Sequence, residues 1–506
     1  MRIATAVLAL LAFAAVPASA ATQRAAAEHT ARAIVGRYAG PTDGTPLDCA
    51  APAGDPAPGS QAWQQRDYLN MYCATERLQD EYGSPAFGST FWPEAGQQFA
   101  DSNVAMLMNP THPHLTLEQF ILGGSETDPY RTIARWTGAG RGRVTDISFP
   151  AADGATLNGH VFRPPASTPG PYPGIVITTG SIQGYQQMYF WAAEGLAEAG
   201  YEVMTYDVQG QGNSDTFGSD CAPPNPPGQN CQGVPFQQSY NFYQGTVDAL
   251  NWFESARNPD RAALDTSRIG IAGHSLGASA VSHVGQCYPG VKAIVAWDKL
   301  AKPSAACKND GTADEITGYP AGTPDKPTLT VPALGIHSEY FFNPEPMQSA
   351  PDPHAQDGAY QDLVKAGTDS MVVQLRDSTH LEYTYVPYIL PASRLGERVA
   401  FYYTLAWFDR YVKGDPTALD RLTAKKFDGS ADASSIGAGT YDPTAAAGNP
   451  ADTTAGNVPY KIKDMSVADR MSIYYESEYN LTAPGGSRAI CVDMRANCPA
   501  VAPQYP

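Results

Sequence analysis

The stretch "RIGIAGHSLGASAVSHVGQ" places Ser275 between Gly273 and Gly277. A G-x-S-x-G pattern is short, and a chain of 506 residues with 47 glycines can produce it by chance. Its surroundings give it meaning: an apolar run, "RIGIAG", leads into the serine, and a helical pattern, "ASAVSHVGQCY", follows. A strand, a tight turn and a helix in that order push a serine hydroxyl out above the end of a sheet. Small residues at 273 and 277 are what let strand and helix come close. The N–H of Leu276, at the helix start, then becomes a donor for negative charge developing beside the serine.

A serine hydroxyl is a weak nucleophile without a base in hydrogen-bond reach. Of the nine histidines, His380 is best placed, because it follows the apolar run "MVVQL" in the segment "RDSTHLEYT". His274 adjoins the serine but points elsewhere by turn geometry. A third group must orient the imidazole and stabilise its charged form. Glu339 in "PALGIHSEYFF" and Asp298 in "AIVAWDKLA" both close a strand pattern, and Asp352 and Asp357 are further acids nearby. A second oxyanion donor is expected from "TTGSIQGY", at the N–H of Ser181 or Ile182. The aromatics Tyr185, Tyr189, Phe190 and Trp191 then line either an acyl pocket or a helix core.

These residues require a frame. "RVTDISFPAADGATLNGHVFRP" reads as a hairpin turning at Asp153-Gly154. Strand and helix patterns alternate after it, from "YPGIVITTGS" through "GERVAFYYTLAWFDRYVKGD", which stops at Gly414. That alternation predicts a mostly parallel sheet with helices on both faces. Two insertions interrupt it, at 215–236 and at about 299–332. The segment 21–142 reads as a mainly helical extension or cap. It holds one helix from Ser60 to Leu78, capped by Ser60, and another from His114 to Gly124. The catalytic domain spans 143–415. Residues 416–506 read as a linker and a small C-terminal extension, its tail a disulfide-pinned β element.

The opening residues "MRIATAVLALLAFAAVPASA" have a basic start, an apolar run and a small-x-small end, the form of a secretion signal cleaved near Ala20. That run is shorter than the roughly 20 residues a membrane span requires. Eight cysteines in an exported chain favour disulfides, most simply between neighbours: 49 with 73, 221 with 231, 287 with 307, and 491 with 498. A net charge of −18 repels phosphate backbones and argues against a nucleic-acid partner.

Serine, acid and histidine in this chain order resemble the α/β-hydrolase superfamily. "GHSLGA" is similar to the elbow of lipases, cutinases and related esterases. "YDVQGQGNSD" resembles the superfamily's D-x-R-G-x-G-x-S loop, with Gln209 where arginine is usual. The resemblance covers about 143–415. It implies the α/β-hydrolase fold and a secreted serine esterase or lipase acting on a carboxylic ester, possessing no metal or organic cofactor. It favours Glu339, after the penultimate strand, as the acid, with Asp298 as the alternative place. The lack of an "HGGG" stretch sets aside one esterase branch. A peptidase of the same superfamily and a non-catalytic protein retaining the fold are the competing readings.

Overall fold

The computed structural model describes residues 56–83, 133–181, 184–215, 239–303, 306–307, 316–341, 344–384, 394–431, 462–496 and 498. The signal-like start, the helix expected at 114–124, most of the insertion at 215–236, Ile182, and Cys49, Cys221 and Cys231 lie outside the described residues.

Among the described residues, ten strands form one sheet, in the order β1-β2-β4-β3-β5-β6-β7-β8-β9-β10. The hairpin is β1 (Arg143–Pro150) with β2 (Thr156–Arg163), paired antiparallel. The central strands are β3 (Tyr172–Thr178), β4 (Glu202–Tyr206), β5 (Leu264–His274), β6 (Val291–Trp297), β7 (Ala333–Tyr340) and β8 (Ser370–Thr379). All neighbours from β4 through β3 to β8 are parallel. Every residue of β3 is buried, as a strand covered on both faces must be.

The helices alternate with these strands. In chain order they are α1 (Gln61–Gly83), α2 (Ile133–Gly138), α3 (Phe190–Glu198), α4 (Ser239–Glu254), α5 (Leu276–Cys287), α6 (Gly358–Lys365), α7 (Arg394–Phe408) and α8 (Ala418–Leu422). One apolar layer joins Trp191 and Leu196 of α3 with Phe401 and Phe408 of α7. Another joins Phe242 and Leu250 of α4 with Val281 and Val284 of α5. Adjacent residues of β5 divide between them, Ile271 into the second layer and Ala272 into the first, as the period of two requires. The aromatics Tyr185, Tyr189, Phe190 and Trp191 are buried in the first layer, so they are core rather than pocket wall.

The start of α1 follows its sequence signal, since the Trp63 N–H donates to Ser60 Oγ at 3.2 Å. Gly414, with φ 76°, ends the turn that follows α7. Sequence patterning missed α6, a two-turn helix whose inward side is only Ala359, Tyr360 and Leu363. The sheet also continues past residue 415. Strand β9 (Glu478–Thr482) pairs antiparallel with β8, and β10 (Arg488–Cys491) pairs antiparallel with β9. Disulfides join Cys287 to Cys307 and Cys491 to Cys498. Among the described residues, no helix is long and apolar enough to cross a membrane.

The chain runs from β3 outward to β4, then returns to place β5 on the other side of β3. Such a reversal opens a crevice at the carboxyl ends of the two strands. Here the loop after β3 faces the turn between β5 and α5. The approach is close: a Cβ on Gly277 would collide with the carbonyl oxygens of Thr178 and Thr179, and one on Gly273 with the Gly277 carbonyl. Gly277→Ala is therefore expected to lower the stability by about 1–3 kcal/mol or more through overpacking. Urea unfolding checks this; a midpoint equal to the wild type's would show that the turn has room to spare.

Candidate active site

Ser275 occupies the turn between β5 and α5 with φ 56° and ψ −118°, a backbone conformation that a side chain rarely tolerates. Its N–H is held by the Trp297 carbonyl at 3.0 Å, which ties the turn to the end of β6. The side chain is only partly buried. Leu276 opens α5, so its N–H belongs to the first turn, where no helical carbonyl is available as acceptor.

His380 follows directly on β8 in a single 3-10 turn, His380–Tyr383. Its own N–H donates to the Phe341 carbonyl at 2.8 Å, drawing the residue back over the end of β7. His380 Nε2 then lies 3.0 Å from Ser275 Oγ, and Nδ1 lies 2.6 Å from Asp298 Oδ2. Because the carboxylate accepts, Nδ1 carries the proton and Nε2 is left to accept from the serine. Asp298 sits one residue past β6 with φ 39°. Burial alone would raise its carboxyl, but the hydrogen bond and charge of His380 outweigh burial and hold it below its ordinary range. Its other oxygen accepts the Ser338 N–H at 3.3 Å.

Glu339 is not part of this arrangement. Its carboxylate accepts from Asn70 Nδ2 at 2.7 Å, the Asp377 N–H at 2.7 Å, Ser472 Oγ at 2.5 Å and the Ile473 N–H at 3.1 Å. The expectation that favoured Glu339 over Asp298 against the imidazole is corrected by strand geometry. Successive side chains of a strand face opposite ways. Ser338 faces the His380 side, bonding the Thr379 carbonyl, and its neighbour Glu339 is thereby turned toward α1 and the segment before β9. Burial first, and then the Asp377 charge, push the Glu339 carboxyl up to about 7. Asp357 is engaged by His354 instead, at 2.8 Å.

The loop after β3 lies against the serine. A Cβ on Gly180 would stand 3.2 Å from Ser275 Cβ and 2.8 Å from His274 Nδ1. Ser181 follows at once, while Ile182 lies outside the described residues. Two side chains that sequence reasoning did not single out for this role hold the loop. Tyr189 Oη accepts the Gly180 N–H at 2.9 Å, and Gln211 bridges the loop's ends. Gln211 Nε2 donates to the Gly180 carbonyl at 2.9 Å, and its Oε1 accepts the Gly184 N–H at 3.1 Å. The only local hint was Gln211's place inside "DVQGQGNSD", where the glycines at 210 and 212 both have positive φ.

His274 completes the set. Its Nε2 lies 2.8 Å from the His380 carbonyl, which can only accept, so Nε2 carries the proton. Nδ1 therefore accepts from Tyr189 Oη, 2.9 Å away. One continuous chain thus links the Gly180 N–H, Tyr189, His274 and the backbone of His380. Burial, reinforced by the nearby His380, lowers His274 to about 3, so it stays neutral.

No family model matches the chain. Two curated relatives do, both distantly. A bis(hydroxyethyl) terephthalate hydrolase of Streptomyces coelicolor is 18% identical over 280 residues, covering 54% of this chain and 67% of that protein. An α/β hydrolase, xenA, of Xenoacremonium sinensis is 32% identical over 73 residues, covering 14% of this chain and 17% of that protein. Both distant relatives are thus hydrolases by name, and the mixed α/β architecture agrees with them.

Because His274 is neutral when folded but titrates near its ordinary 6.5 when unfolded, the unfolded chain takes up a proton that the folded chain refuses between pH 6.5 and about 3. Stability is full above pH 6.5 and falls as pH drops through that window, by up to about 5 kcal/mol from this group. His274→Gln is expected to flatten the slope. Denaturant titrations at several pH values measure it; an unchanged slope would mean that His274 is already accessible to protons.

Proposed function

We propose that the chain is an exported serine hydrolase of carboxylic esters, with Ser275 as nucleophile, His380 as general base and Asp298 as the acid. The observation that carries this reading is the continuous contact from Ser275 Oγ to His380 Nε2 and from His380 Nδ1 to Asp298 Oδ2. It is joined by the strained backbone that presents the serine. In this mechanism Ser275 attacks the ester carbonyl while His380 takes its proton at Nε2. Asp298 accepts Nδ1–H throughout and stabilises the imidazolium as it forms. The N–H of Leu276 and that of Ser181 or Ile182 receive the oxyanion. His380 returns the proton to the leaving alcohol, and water repeats the attack on the acyl-enzyme. Every proton moves between groups of the chain and the substrate, so the sequence of steps requires no added cofactor.

The first relative's name supports an ester as substrate. An apolar substrate is supported by Phe341, whose ring centre lies 4.8 Å from that of His380 and which is 65% exposed. Export is supported by the signal-like start, the disulfides Cys287–Cys307 and Cys491–Cys498 and the acidic composition.

The test is hydrolysis of p-nitrophenyl esters from acetate to palmitate. Ser275→Ala is expected to abolish turnover, and Asp298→Asn to reduce kcat on the order of 10⁴-fold. Glu339→Gln is expected to keep kcat within about threefold, since its carboxylate touches none of the reacting groups. Equal losses from Asp298→Asn and Glu339→Gln would overturn the assignment of the acid. Inactivity of the intact, disulfide-bonded protein on every ester and amide would favour the non-catalytic reading.

Tyr189→Phe removes the hydroxyl shared by Gly180 and His274. It is expected to lower kcat about 10–100-fold with KM nearly unchanged, because the oxyanion forms only in the transition state. Parallel losses in kcat and stability, with KM raised, would assign Tyr189 to packing alone.

A further inference from the structure

A second polar cluster lies apart from Ser275, where the loop before α6 meets the residues entering β9. His354 Nδ1 is 2.8 Å from Asp357 Oδ2, and His354 Nε2 is 3.4 Å from Glu476 Oε2. Glu478 Oε1 approaches the same imidazole, 3.5 Å from Nδ1. One ring nitrogen of His354 and one carboxylate oxygen each from Glu476 and Glu478 all lie within 4.8 Å of one another. Asp357 and Glu478 are 2% and 7% exposed, whereas the His354 side chain is 48% exposed and opens the cluster to solvent.

Charge and hydrogen bonding are both unbalanced here. Three carboxylates surround one imidazole, and Gln361 Nε2 donates only to Asp357, at 2.9 Å. Glu478 Oε1 is buried and faces the cluster, with His354 Nδ1 at 3.5 Å and the Asp357 carboxyl beside it, and has no well-aligned donor. A buried carboxylate oxygen without a donor is costly, and a cation is the partner that satisfies several such oxygens at once. One ligand pair already has the spacing an ion requires, and the three ligand atoms lie within 4.8 Å of one another. Two ligand atoms each about 2.1 Å from a tetrahedral ion stand about 3.4 Å apart. His354 Nε2 and Glu476 Oε2 have that separation. Asp357, on the opposite ring nitrogen, occupies the position from which a carboxylate fixes the tautomer of a metal-ligating histidine.

We propose that His354, Glu476 and Glu478 bind one divalent cation of the Zn²⁺ type, with Asp357 orienting His354. An imidazole among the ligands selects against Ca²⁺ and Mg²⁺, which take oxygen ligands. The ion would staple the loop after β7 to the start of β9. This inference does not depend on the ester-hydrolase reading.

The full-length protein, stripped with EDTA and dialysed, is titrated with ZnCl₂ by calorimetry and melted with and without the ion. Wild type is expected to take up one equivalent and gain several degrees in Tm. His354→Ala and Glu478→Gln should lose that equivalent and that gain, and Asp357→Asn should bind about tenfold more weakly. Hydrolysis of p-nitrophenyl acetate by the stripped variants at the wild-type rate would show that they are folded. If the stripped variants lack that rate, near-UV circular dichroism replaces it as the criterion of folding. The proposal is overturned if wild type takes up no Zn²⁺. Uptake that survives in both folded variants, or a gain in Tm with CaCl₂ but not ZnCl₂, overturns it equally.

Discussion

The left-handed backbone of Ser275 is the constraint on which the rest of this structure depends. A serine at φ 56° costs free energy of order 1–3 kcal/mol and persists only where its surroundings over-determine it. They do so here on three sides. Gly273 and Gly277 allow the turn to close against its own helix and against the end of β3. The Trp297 carbonyl holds the Ser275 N–H from β6, and the Gly180 backbone lies against the Ser275 side chain from the loop after β3. Strain at one residue is thus offset by the packing of three parallel strands.

The polar groups around the serine form two layers with different duties. The inner layer is the run from Ser275 through His380 to Asp298. The outer layer never touches the serine hydroxyl. It consists of His274 and Tyr189, which join the backbone of His380 to that of Gly180, and Gln211, which closes the loop on itself. His274 can serve only as a neutral imidazole with a fixed tautomer, which its complete burial enforces. Its position beside Ser275, with both ring nitrogens engaged, makes it a strut between two loops.

At the far edge, Glu339 performs a comparable joining task for the termini. Its carboxylate gathers Asn70 of α1, the backbone of Asp377, and Ser472 and Ile473 ahead of β9. Trp63 and Asp67 of α1 add contacts to Tyr474. Helix α1 and the residues from Ser472 onward, which share no motif with the central region, therefore pack onto its last strands. Of these, β9 and β10 extend the same sheet.

The sequence alone determined whatever depends on near neighbours. The glycine pair around Ser275, the β-branched runs of β3 and β6 and the alternating hairpin each act within a few residues, so the elbow, the mostly parallel sheet and the place of His380 were legible. Which of Asp298 and Glu339 lies against His380 was not, because both close a strand and both are acids. Only the tertiary structure decided it, through the alternation of side chains along β7 and the position of β6 directly beside β5. The same holds for Tyr189 and Gln211. Each bonds a loop backbone that packing brings close, and no local pattern encodes which hydroxyl or amide will arrive there.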